Sequence, residues 1–357
     1  MIDREDKKGE SKDPFASVLM LGYNDKDNLR EAIDSVLEQS YKNFELIYID
    51  NASTDGSLDF VKERYPSVKT INNQENLGYA GAYHKAIDET FRKEKVDAVV
   101  LLNTDILVDK EWLGEMIKTA YKEERIAVVQ PKIYLFENKK TNKINTFGNQ
   151  LNYLGFGYCG NYKKEDKKEF TDDIEIPTAS GCSLLIKKEP YLNIRGIDPT
   201  FFAYVEDQDM CWRARTHGYR VMLSVNAKMW HKYSFVKNKG KFYLYERNRW
   251  MFIFKNYQVK TILLFIPIAI VMELGLIADS IFSGYFLDKL HGYLGFCVKI
   301  PYLFLERRRA QSGRILKDRD LKKYFSDNIV FEDVESRGLR IANSILRVYY
   351  RFIKKLI

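Results

Sequence analysis

The feature that most constrains the fold is a regular alternation of short apolar runs with amphipathic segments between residues 15 and 121. Four apolar, partly β-branched runs have the character of buried strands: Val18–Tyr23, Phe44–Ile49, Val68–Ile71 and Asp97–Leu102. After each of them comes a predicted helix, in which apolar residues recur at helical spacing: Leu29–Leu37, Ser57–Arg64, Tyr79–Arg92 and Trp112–Tyr121. This alternation predicts an α/β fold whose mostly parallel central sheet is covered by helices on both faces.

Polar, turn-forming residues come directly after each predicted strand: Asn24, Asp50-Asn51, Asn76-Leu77-Gly78 and Asn103-Thr104-Asp105. Ligands of such sheets bind beyond the carboxyl ends of the strands. Asn and Asp are also ordinary turn residues, so a turn alone explains any one of these sets. Because all four sets converge on one edge, they predict a binding site there.

Two further groups could carry chemistry. Three acids begin the predicted helix Glu206–His217, in the run Glu206-Asp207-Gln208-Asp209. Acids are common in a first helical turn, but clustered carboxylates also raise each other's pKa, which suits a general base. His231 follows the predicted strand Tyr219–Val225 and its loop, and a neutral imidazole is a good metal ligand. The carboxylate of Asp105 is the hard oxygen donor that Mg²⁺ or Mn²⁺ prefers.

The composition changes after about residue 245. Thr261–Leu287 is a run of 27 residues in which only Glu273 and Asp279 are charged, against the ~20 apolar residues that span a bilayer. The shorter apolar stretch Leu290–Leu305 contains Lys299. These stretches predict membrane-associated helices, which either span the bilayer or lie in its surface. The alternative is a hairpin of core helices.

The net charge of +8 lies entirely in the last segment. Residues 307–357 carry 14 Lys or Arg against 6 Asp or Glu, so the rest of the chain is neutral. On a helical wheel one arc is apolar and the opposite arc is basic, the apolar members being Ile341, Ile345, Val348, Tyr349, Phe352 and Leu356. This pattern predicts an amphipathic helix on anionic membrane lipid, or else a helix packed on the body. A nucleic-acid partner is not expected, because such domains carry their basic excess across a binding face.

Four regions follow from these patterns. Residues 1–14 are expected to be a disordered leader, 15–245 the catalytic domain, 246–306 the apolar membrane-associated segments, and 307–357 the basic amphipathic tail. The start of the chain has no apolar run typical of a secretory signal. Its four cysteines lie far apart without a C-x-x-C pair, which favours a reducing compartment. The body is therefore expected at the cytoplasmic side of the cell membrane.

The order of these elements resembles that of family 2 glycosyltransferases with the GT-A fold, particularly rhamnosyl- and mannosyltransferase-like members. The resemblance covers about Phe15 to Tyr257 and rests on eight short pieces in order. They are Tyr23-Asn24, Ile49–Ser57, Asn76–Ala82, Leu101–Asp105, Ser180–Ser183, Gly196–Asp198, Phe201–Asp209 and His231.

The resemblance implies a role for each candidate residue. Asp207 would be the base that takes the proton of the acceptor hydroxyl, with Gly181, Glu206 and Asp209 near the acceptor or sugar. The donor nucleotide would contact Tyr23, Asn24, Asp50, Asn51, Asn76, Gly78, Gly81 and Asn103. Asp105 and His231 would hold a divalent cation, Mn²⁺ or Mg²⁺. Asn103 occupies the first position of the metal-binding D-x-D motif, where the family has Asp.

The function implied is an inverting transfer of a sugar from a GDP-, dTDP- or UDP-sugar to a lipid-linked or glycan acceptor at the membrane. A processive polysaccharide synthase is an alternative, although its Q-x-x-R-W element reads Glu246-Arg247-Asn248-Arg249-Trp250 here. A membrane-tethered scaffold that lost catalysis is another, suggested by Asn103. The sequence leaves the sugar, the linkage and assembly into a homo-oligomer open.

Overall fold

The computed structural model describes residues 13–167, 170–233, 239–330 and 337–357, with the backbone alone for 239–241. The predicted leader, residues 1–14, lies outside the described residues except for its last two.

The four predicted strands and the helices between them are confirmed, with ends that shift by a few residues at most. The strands are β1 (Ala16–Gly22), β2 (Phe44–Asp50), β3 (Lys69–Asn72), β4 (Ala98–Asn103), β5 (Ile106–Val108), β6 (Ile126–Phe136), β7 (Lys140–Thr146), β8 (Asn149–Asn152), β9 (Gly157–Cys159), β10 (Ile174–Glu175), β11 (Ser183–Lys187), β12 (Arg220–His231) and β13 (Phe325–Ser326). The α-helices are α1 (Lys26–Leu37), α2 (Ser57–Arg64), α3 (Gly78–Phe91), α4 (Trp112–Ala120), α5 (Lys188–Asn193), α6 (Glu206–Thr216), α7 (Lys239–Asn256), α8 (Val259–Phe282), α9 (Phe286–Ser312), α10 (Asp318–Leu321) and α11 (Arg337–Ile353). Short 3-10 helices lie at Pro199–Phe201 and Lys322–Tyr324.

Ten of the strands form the central sheet, in the order β10-β12-β6-β11-β4-β1-β2-β3, with β5 on β12 and β7 on β6. The strands β3, β2, β1 and β4 are parallel, as predicted. The sheet as a whole is mixed, because β11 lies antiparallel between β4 and β6. The chain reaches β11 through a long excursion of short strands, and an antiparallel neighbour needs no crossover helix. The predicted α/β class is confirmed.

Each central strand is apolar on both of its faces, which explains the continuous apolar runs in the sequence. In β1, Val18 and Met20 join the core beneath α1 and α4, whereas Leu19 joins the core on the other side of the sheet. The strand β4 divides its side chains in the same way. Helices therefore cover both faces, as the alternation predicts.

The C-terminal helices share the second of these cores with the sheet. Phe265 of α8 and Tyr350 of α11 lie against the ring of Tyr153, with ring centroids 5.1 and 4.8 Å apart. The helix α7 begins at Lys239, so the predicted boundary at 245/246 falls inside a helix. Each of α8, α9 and α11 is thus held on the body by a few buried side chains.

Among the described residues, α8 is the one helix long and apolar enough to cross a membrane by length and composition. The stretch Leu290–Leu305 lies within α9, which does not meet that test. One side of α8 is buried on the body by Phe265, Ile268 and Met272. Its opposite side is exposed to solvent.

We call the exposed apolar side chains of α8, α9 and α11 the apolar face. In α8 they include Leu263, Ile266, Ile270, Val271, Leu274, Ile281 and Phe282, in α9 Leu287, Leu290, Leu294, Val298, Phe304 and Leu305, and in α11 Ile341, Ile345, Val348 and Phe352. The α11 members belong to the predicted apolar arc, whose Leu356 is also exposed. Tyr349 differs, since its hydroxyl donates to the Leu264 carbonyl at 2.9 Å. Leu346, Tyr350 and Ile353 hold α11 on the body.

Candidate active site

The parallel register brings the polar strand ends together at one edge of the sheet. Asp50 is the register partner of Gly22, and Asn103 is the partner of Leu21 on the other side of β1. The next residues, Tyr23 and Asn24, therefore leave the sheet between them. Tyr23 is 50% exposed, so its ring is free to contact a ligand.

The first two strand-end loops are held by their own polar side chains. The Asp50 carboxylate is buried and accepts a hydrogen bond from the Ser53 N–H at 3.0 Å. The Asn24 side-chain carbonyl accepts from the Thr54 N–H at 2.7 Å, and its φ of 51° places it in the left-handed region. These bonds hold the predicted nucleotide contacts in fixed positions.

The buried amide of Asn51 joins this pair of loops to the third. Its nitrogen donates to the Asn76 side-chain oxygen at 2.9 Å, and its oxygen accepts from the Leu77 N–H at 3.1 Å. Gly78 begins α3 with a φ of +68°, and a Cβ there would lie 2.5 Å from the Phe202 carbonyl oxygen. Glycine is thus required at Gly78 by both conformation and space. Gly81 lies one turn further along the same helix, where a Cβ would meet the Leu77 side chain at 3.2 Å.

Asp105 and His231 lie side by side because β5 pairs antiparallel with β12. Ile106 is the register partner of His231, which places the preceding Asp105 against the imidazole. The distance from His231 Nε2 to Asp105 Oδ1 is 3.2 Å, and His231 Nδ1 lies 3.0 Å from the Asn145 side-chain oxygen. The structure therefore brings the two predicted metal ligands together.

The ionisation of this pair reflects mutual stabilisation. Burial disfavours the imidazolium, but the neighbouring Cys182 thiol and Asp105 carboxylate raise the pKa of His231 to about 10. Burial works against the Asp105 carboxylate too, and the contact with His231 outweighs it, so the pKa of Asp105 lies below its usual range. His231 therefore holds a proton at neutral pH, and it would have to release that proton in order to hold a metal.

Asp207 lies at the start of α6 and reaches back to the loop before β11. Its carboxylate accepts hydrogen bonds from the Gly181 N–H at 2.8 Å and the Gln208 N–H at 2.7 Å. Burial raises the pKa of Asp207, and the two N–H groups act in the opposite direction. The carboxylate is thus positioned by backbone while it remains partly accessible.

Glu206 is more deeply buried than its neighbour, with 5% of its surface exposed. Its Oε2 has no hydrogen-bond partner in the part of the chain that the structure describes. Burial, and then the adjacent Asp207 charge, raise the pKa of Glu206 well above its usual range. A protonated Glu206 can donate a hydrogen bond, whereas an ionised Asp207 can only accept one.

The segment Gly181-Cys182 lies between Asp207 and the Asp105–His231 pair. The Gly181 carbonyl accepts from the Tyr79 hydroxyl, and the Cys182 carbonyl accepts from the Asn103 N–H at 3.0 Å. A Cβ at Gly181 would lie 2.6 Å from the Tyr79 hydroxyl, so this close approach requires glycine. One short segment thus links Asp207, the D-x-D position Asn103 and His231.

Asp209 does not reach this cluster. Its fully buried carboxylate accepts from Arg213 Nη2 at 2.7 Å, Lys255 Nζ at 3.1 Å and Asn256 Nδ2 at 2.7 Å. All of these partners lie on α6 and α7. These contacts join the two helices through Asp209, and its implied place near the acceptor or sugar stays a prediction.

Sequence reasoning assigned no role to Cys182 or to a pair of residues on α7. Asn248 Nδ2 lies 2.8 Å from each of three carbonyl oxygens, those of Phe201, Ala203 and Tyr204. Arg247 donates to the Phe201 carbonyl as well, at 2.8 Å. The one sequence signal for Arg247 and Asn248 is that they occupy the two x positions of the segment compared with Q-x-x-R-W.

The loop that Asn248 holds is strained. Phe202, Tyr204 and Val205 have φ values of 65°, 70° and 72°, in a region that L-residues and above all β-branched ones avoid. Such conformations cost on the order of 1–3 kcal/mol each and persist where surrounding contacts impose them. The loop leads directly into Glu206 and Asp207, so the contacts from α7 fix the position of both acids.

Comparison with known proteins identifies the family of this fold and site. Residues 17–195 match the family Glycosyl transferase family 2. Over 219 residues the chain is 26% identical to the poly-beta-1,6-N-acetyl-D-glucosamine synthase of Staphylococcus aureus strain MSSA476, covering 59% of this chain and 48% of the relative. Over 78 residues it is 42% identical to the glycosyltransferase EpsE of Bacillus subtilis strain 168, covering 21% of this chain and 28% of the relative. The chain spans about half the length, or less, of these relatives.

The fold is similar to that of GalNAc-T7, whose crystal structure contains UDP, GalNAc and Mn²⁺. The TM-score is 0.59 at 15% identity, and the match covers 71% of this chain and 49% of that chain. The likeness concerns the fold, and it confirms the GT-A architecture expected from the sequence. Because the family match extends over half of the sequence and the fold agrees with it, the chain belongs to glycosyl transferase family 2 and is a glycosyltransferase.

Proposed function

We propose that this glycosyltransferase moves a sugar from a nucleoside diphosphate to the hydroxyl of a lipid-linked or glycan acceptor, with inversion at the anomeric carbon and a divalent cation as cofactor. The observation that carries the proposal is the Gly181-Cys182 segment. It links the candidate base Asp207, bonded through the Gly181 N–H at 2.8 Å, to the Asp105–His231 pair that lies beside Cys182.

The donor nucleotide binds at the edge formed by the first three strand ends. Asp50 and Asn51 face the base and ribose, with Asn24 and Tyr23 at the outer rim. The glycine positions Gly78 and Gly81 at the start of α3 let backbone N–H groups approach the diphosphate end of the donor. Asn103 lies beside this edge through its register with β1. UDP-, GDP- and dTDP-sugars all fit this description.

The metal site uses Asp105 and His231. No group of three His, Cys, Asp or Glu suited to a metal is found in residues 13–167, 170–233, 239–330 and 337–357, so two protein ligands are what this edge offers. That number fits Mg²⁺ or Mn²⁺, which commonly take one or two protein ligands and complete their shell with phosphate oxygens and water. When bound, the cation supplies charge neutralisation for the leaving diphosphate. Asp105 and His231 orient the donor, and His231 must give up its proton to do so.

The transfer itself is assigned to the two acids at the start of α6. Asp207 accepts the proton of the acceptor hydroxyl as its oxygen attacks the anomeric carbon. The bond from that carbon to the diphosphate breaks on the opposite face, so the configuration inverts, as in inverting hydrolysis with an alcohol in place of water. Glu206, protonated, donates a hydrogen bond to a sugar or acceptor hydroxyl through its otherwise unpaired carboxyl oxygen.

We propose that the enzyme lies on the cytoplasmic surface of a membrane rich in anionic lipid, with the apolar face against it. Glu273 is the one glutamate of α8. Its carboxylate oxygens lie 2.5 Å from Arg249 Nη2 of α7 and 2.9 Å from Lys289 Nζ of α9. These ion pairs attach α8 sideways to its neighbours, which favours a helix lying in the membrane surface over one that crosses it. The exposed basic side chains of α11, such as Arg347 and Arg351, can contact anionic lipid headgroups.

A thermal-shift screen tests the donor and the metal together. UDP-, GDP- and dTDP-sugars are each added with and without Mn²⁺, and a ligand that binds only the folded state raises the melting temperature. We expect one nucleotide class to stabilise the protein and Mn²⁺ to enlarge its effect. A protein that responds to none of these donors would contradict the proposed donor class.

A processive polysaccharide synthase is the second candidate, favoured by two observations. The chain is 26% identical over 219 residues to a poly-beta-1,6-N-acetyl-D-glucosamine synthase. In the segment Glu246–Trp250, which we compared with the Q-x-x-R-W element, Glu246 also accepts hydrogen bonds from Arg249 at 2.6 Å and from Trp250 Nε1 at 2.9 Å. Product length decides between the two: the proposed enzyme adds single sugars, whereas a synthase releases long chains.

A further inference from the structure

We propose that a cleft beside the catalytic loop binds the phosphate group of a lipid-linked acceptor, with Lys299 and Arg247 as its cations. We call it the headgroup cleft. It lies between the Pro199–Phe202 turn, α7 and α9, and has a volume of about 520 Å³. The inference rests on the proposed function and specifies its acceptor class.

The position of the headgroup cleft relates it to the reaction. Phe202 forms one wall, and the carbonyl of the same residue accepts a hydrogen bond from the Ala80 N–H at 2.9 Å, in the first turn of α3. Phe202 therefore separates the headgroup cleft from the loop proposed to bind the donor. A ligand in the cleft lies next to the strained segment that carries Asp207.

The charge of the cleft is positive and not balanced locally. None of its lining residues, all of which lie in the described ranges, is acidic. The Arg247 guanidinium donates to the Phe201 carbonyl at 2.8 Å and to the Asn248 side-chain oxygen at 2.9 Å, which are both neutral acceptors. A phosphate would supply the missing negative charge, and such charge-assisted hydrogen bonds are stronger than neutral ones.

Of the two cations, Lys299 gives the stronger argument for a bound anion. It is half-buried in α9, and neither a hydrogen bond nor an ion pair is found for its ammonium within the described part of the chain. The other lysine buried in this helix, Lys289, is paired with both Glu246 and Glu273. Lys299 and Arg247 line one cleft with no carboxylate among its lining residues, so an anion bound there would offset their mutual repulsion.

The surroundings of Lys299 define the rest of the ligand. Val298 and Leu294 on the same helix are 78% and 55% exposed and belong to the apolar face. Phe202 and Leu244 line the cleft beside the two cations, and an apolar chain can run from them toward Val298 while its phosphate lies between Lys299 and Arg247. A soluble phosphate or a glycan end would leave this apolar surface uncovered. The combination therefore fits a lipid phosphate, with its glycosyl-accepting end directed toward Asp207.

Binding to vesicles of two compositions tests the inference with the full chain. One set is phosphatidylcholine with a polyprenyl phosphate, and the other is phosphatidylcholine with phosphatidylglycerol at the same surface charge. We expect the wild type to sediment preferentially with the polyprenyl phosphate vesicles. The Lys299→Gln variant should lose that preference, by about tenfold if one charge-assisted contact is removed, and Lys299→Arg should keep it.

Arg308 provides the matched control, since it is exposed on the same helix and lies outside the headgroup cleft. Arg308→Gln should weaken binding to both vesicle types equally. If Lys299→Gln does the same, Lys299 contacts bulk anionic lipid and the inference is wrong. A wild type without preference would also overturn it. The donor screen described above is independent of these vesicles, so a protein that responds to a nucleotide sugar but shows no preference keeps the proposed function and loses this acceptor class.

Discussion

At the scale of single residues, the acids at the start of α6 differ in their partners: backbone N–H groups hold Asp207, whereas Arg213, Lys255 and Asn256 surround Asp209. Asp50, Asn103, Asp105 and Asp207 were predicted as site residues from strand ends and one acidic run, because these are local patterns. The contacts of Asp209 could not be predicted, since its partners Lys255 and Asn256 lie 46 and 47 residues away in sequence. An acidic run shows neither which carboxylate is buried nor which partners it has.

The raised pKa of Glu206 leads to a prediction about its protonation state. A group whose pKa is raised in the folded protein keeps its proton to a higher pH than an ordinary glutamate, and we propose that Glu206 acts in its protonated form. Glu206→Gln, which keeps a neutral donor, should retain most of the transfer activity, whereas Glu206→Ala should lose about tenfold or more. The measurement is kcat against pH for the three proteins.

The dependence of kcat on pH also shows which group limits activity at each end of the pH range. Wild-type activity should fall at alkaline pH as Glu206 ionises, and Glu206→Gln should lack that descending limb. The acidic limb belongs to Asp207, whose raised pKa places it above the range of an ordinary aspartate, and both proteins should share it. Equal inactivity of Glu206→Gln and Glu206→Ala at neutral pH would contradict a protonated Glu206.

At the scale of elements, the first half of the sheet could be predicted, whereas in the second half only α6 and the start of β12 correspond to predicted elements. Parallel strands buried on both faces leave a continuous apolar signal, and the helices between them keep their period. The strands β7 to β10 are short or polar, and β11 pairs with β4 at a distance of more than 80 residues. The attachment of the catalytic loop by Asn248 is equally long-range, so no local pattern indicates it.

This attachment predicts a catalytic defect from a residue that need not touch the substrate. Asn248→Ala removes the contacts to the carbonyls of Phe201, Ala203 and Tyr204 and lets the strained loop relax. Because a small displacement of catalytic groups can reduce a rate by about 100-fold, we expect a fall in kcat of that order with little change in the donor KM. Steady-state kinetics measures both.

A matched control separates positioning from stability. Asn343 on α11 also holds backbone, since it accepts from the Ile329 N–H at 2.7 Å and donates to the Ile329 carbonyl at 2.8 Å. Asn343→Ala should lower the melting temperature comparably while it leaves kcat unchanged. Equal loss of kcat in the two variants would refute a specific role for Asn248.

At the scale of the whole molecule, the separation of charge in the sequence indicated a surface for membrane contact, and the structure supplies its shape. Of the exposed large apolar side chains in the described residues, most lie beyond residue 258. The sequence could not show that α8 packs along the body, because an apolar helix with one buried side has the same composition as a membrane span. The ion pairs of Glu273 with Arg249 and Lys289 support our proposal that α8 lies along the body.

The apolar face predicts which surface substitutions release the protein from membranes. Val348 and Phe352 are 69% and 70% exposed, so replacing both by Glu should leave the melting temperature unchanged. The same change removes apolar contact and adds negative charge, and we expect binding to phosphatidylglycerol vesicles to fall about tenfold or more. Co-sedimentation measures the loss.

The control replaces two exposed apolar residues by Glu on parts of the body outside the apolar face. Leu37 and Leu192 are 41% and 55% exposed on other parts of the body, and Leu37→Glu with Leu192→Glu should leave vesicle binding intact. If both pairs reduce binding equally, the effect comes from net charge and the apolar face has no special role.

The central claim is that Asp207 is the base of a metal-assisted sugar transfer, and one comparison tests it most directly. Release of nucleoside diphosphate from the donor selected by thermal shift is measured with Mn²⁺ for the wild type and for Asp207→Asn. Asn keeps the size of the side chain and removes its basicity, so we expect donor binding to persist. General-base catalysis contributes on the order of 10²–10⁴ in rate, and the release rate should fall by about that factor. An Asp207→Asn protein that releases the nucleotide at the wild-type rate would contradict the account.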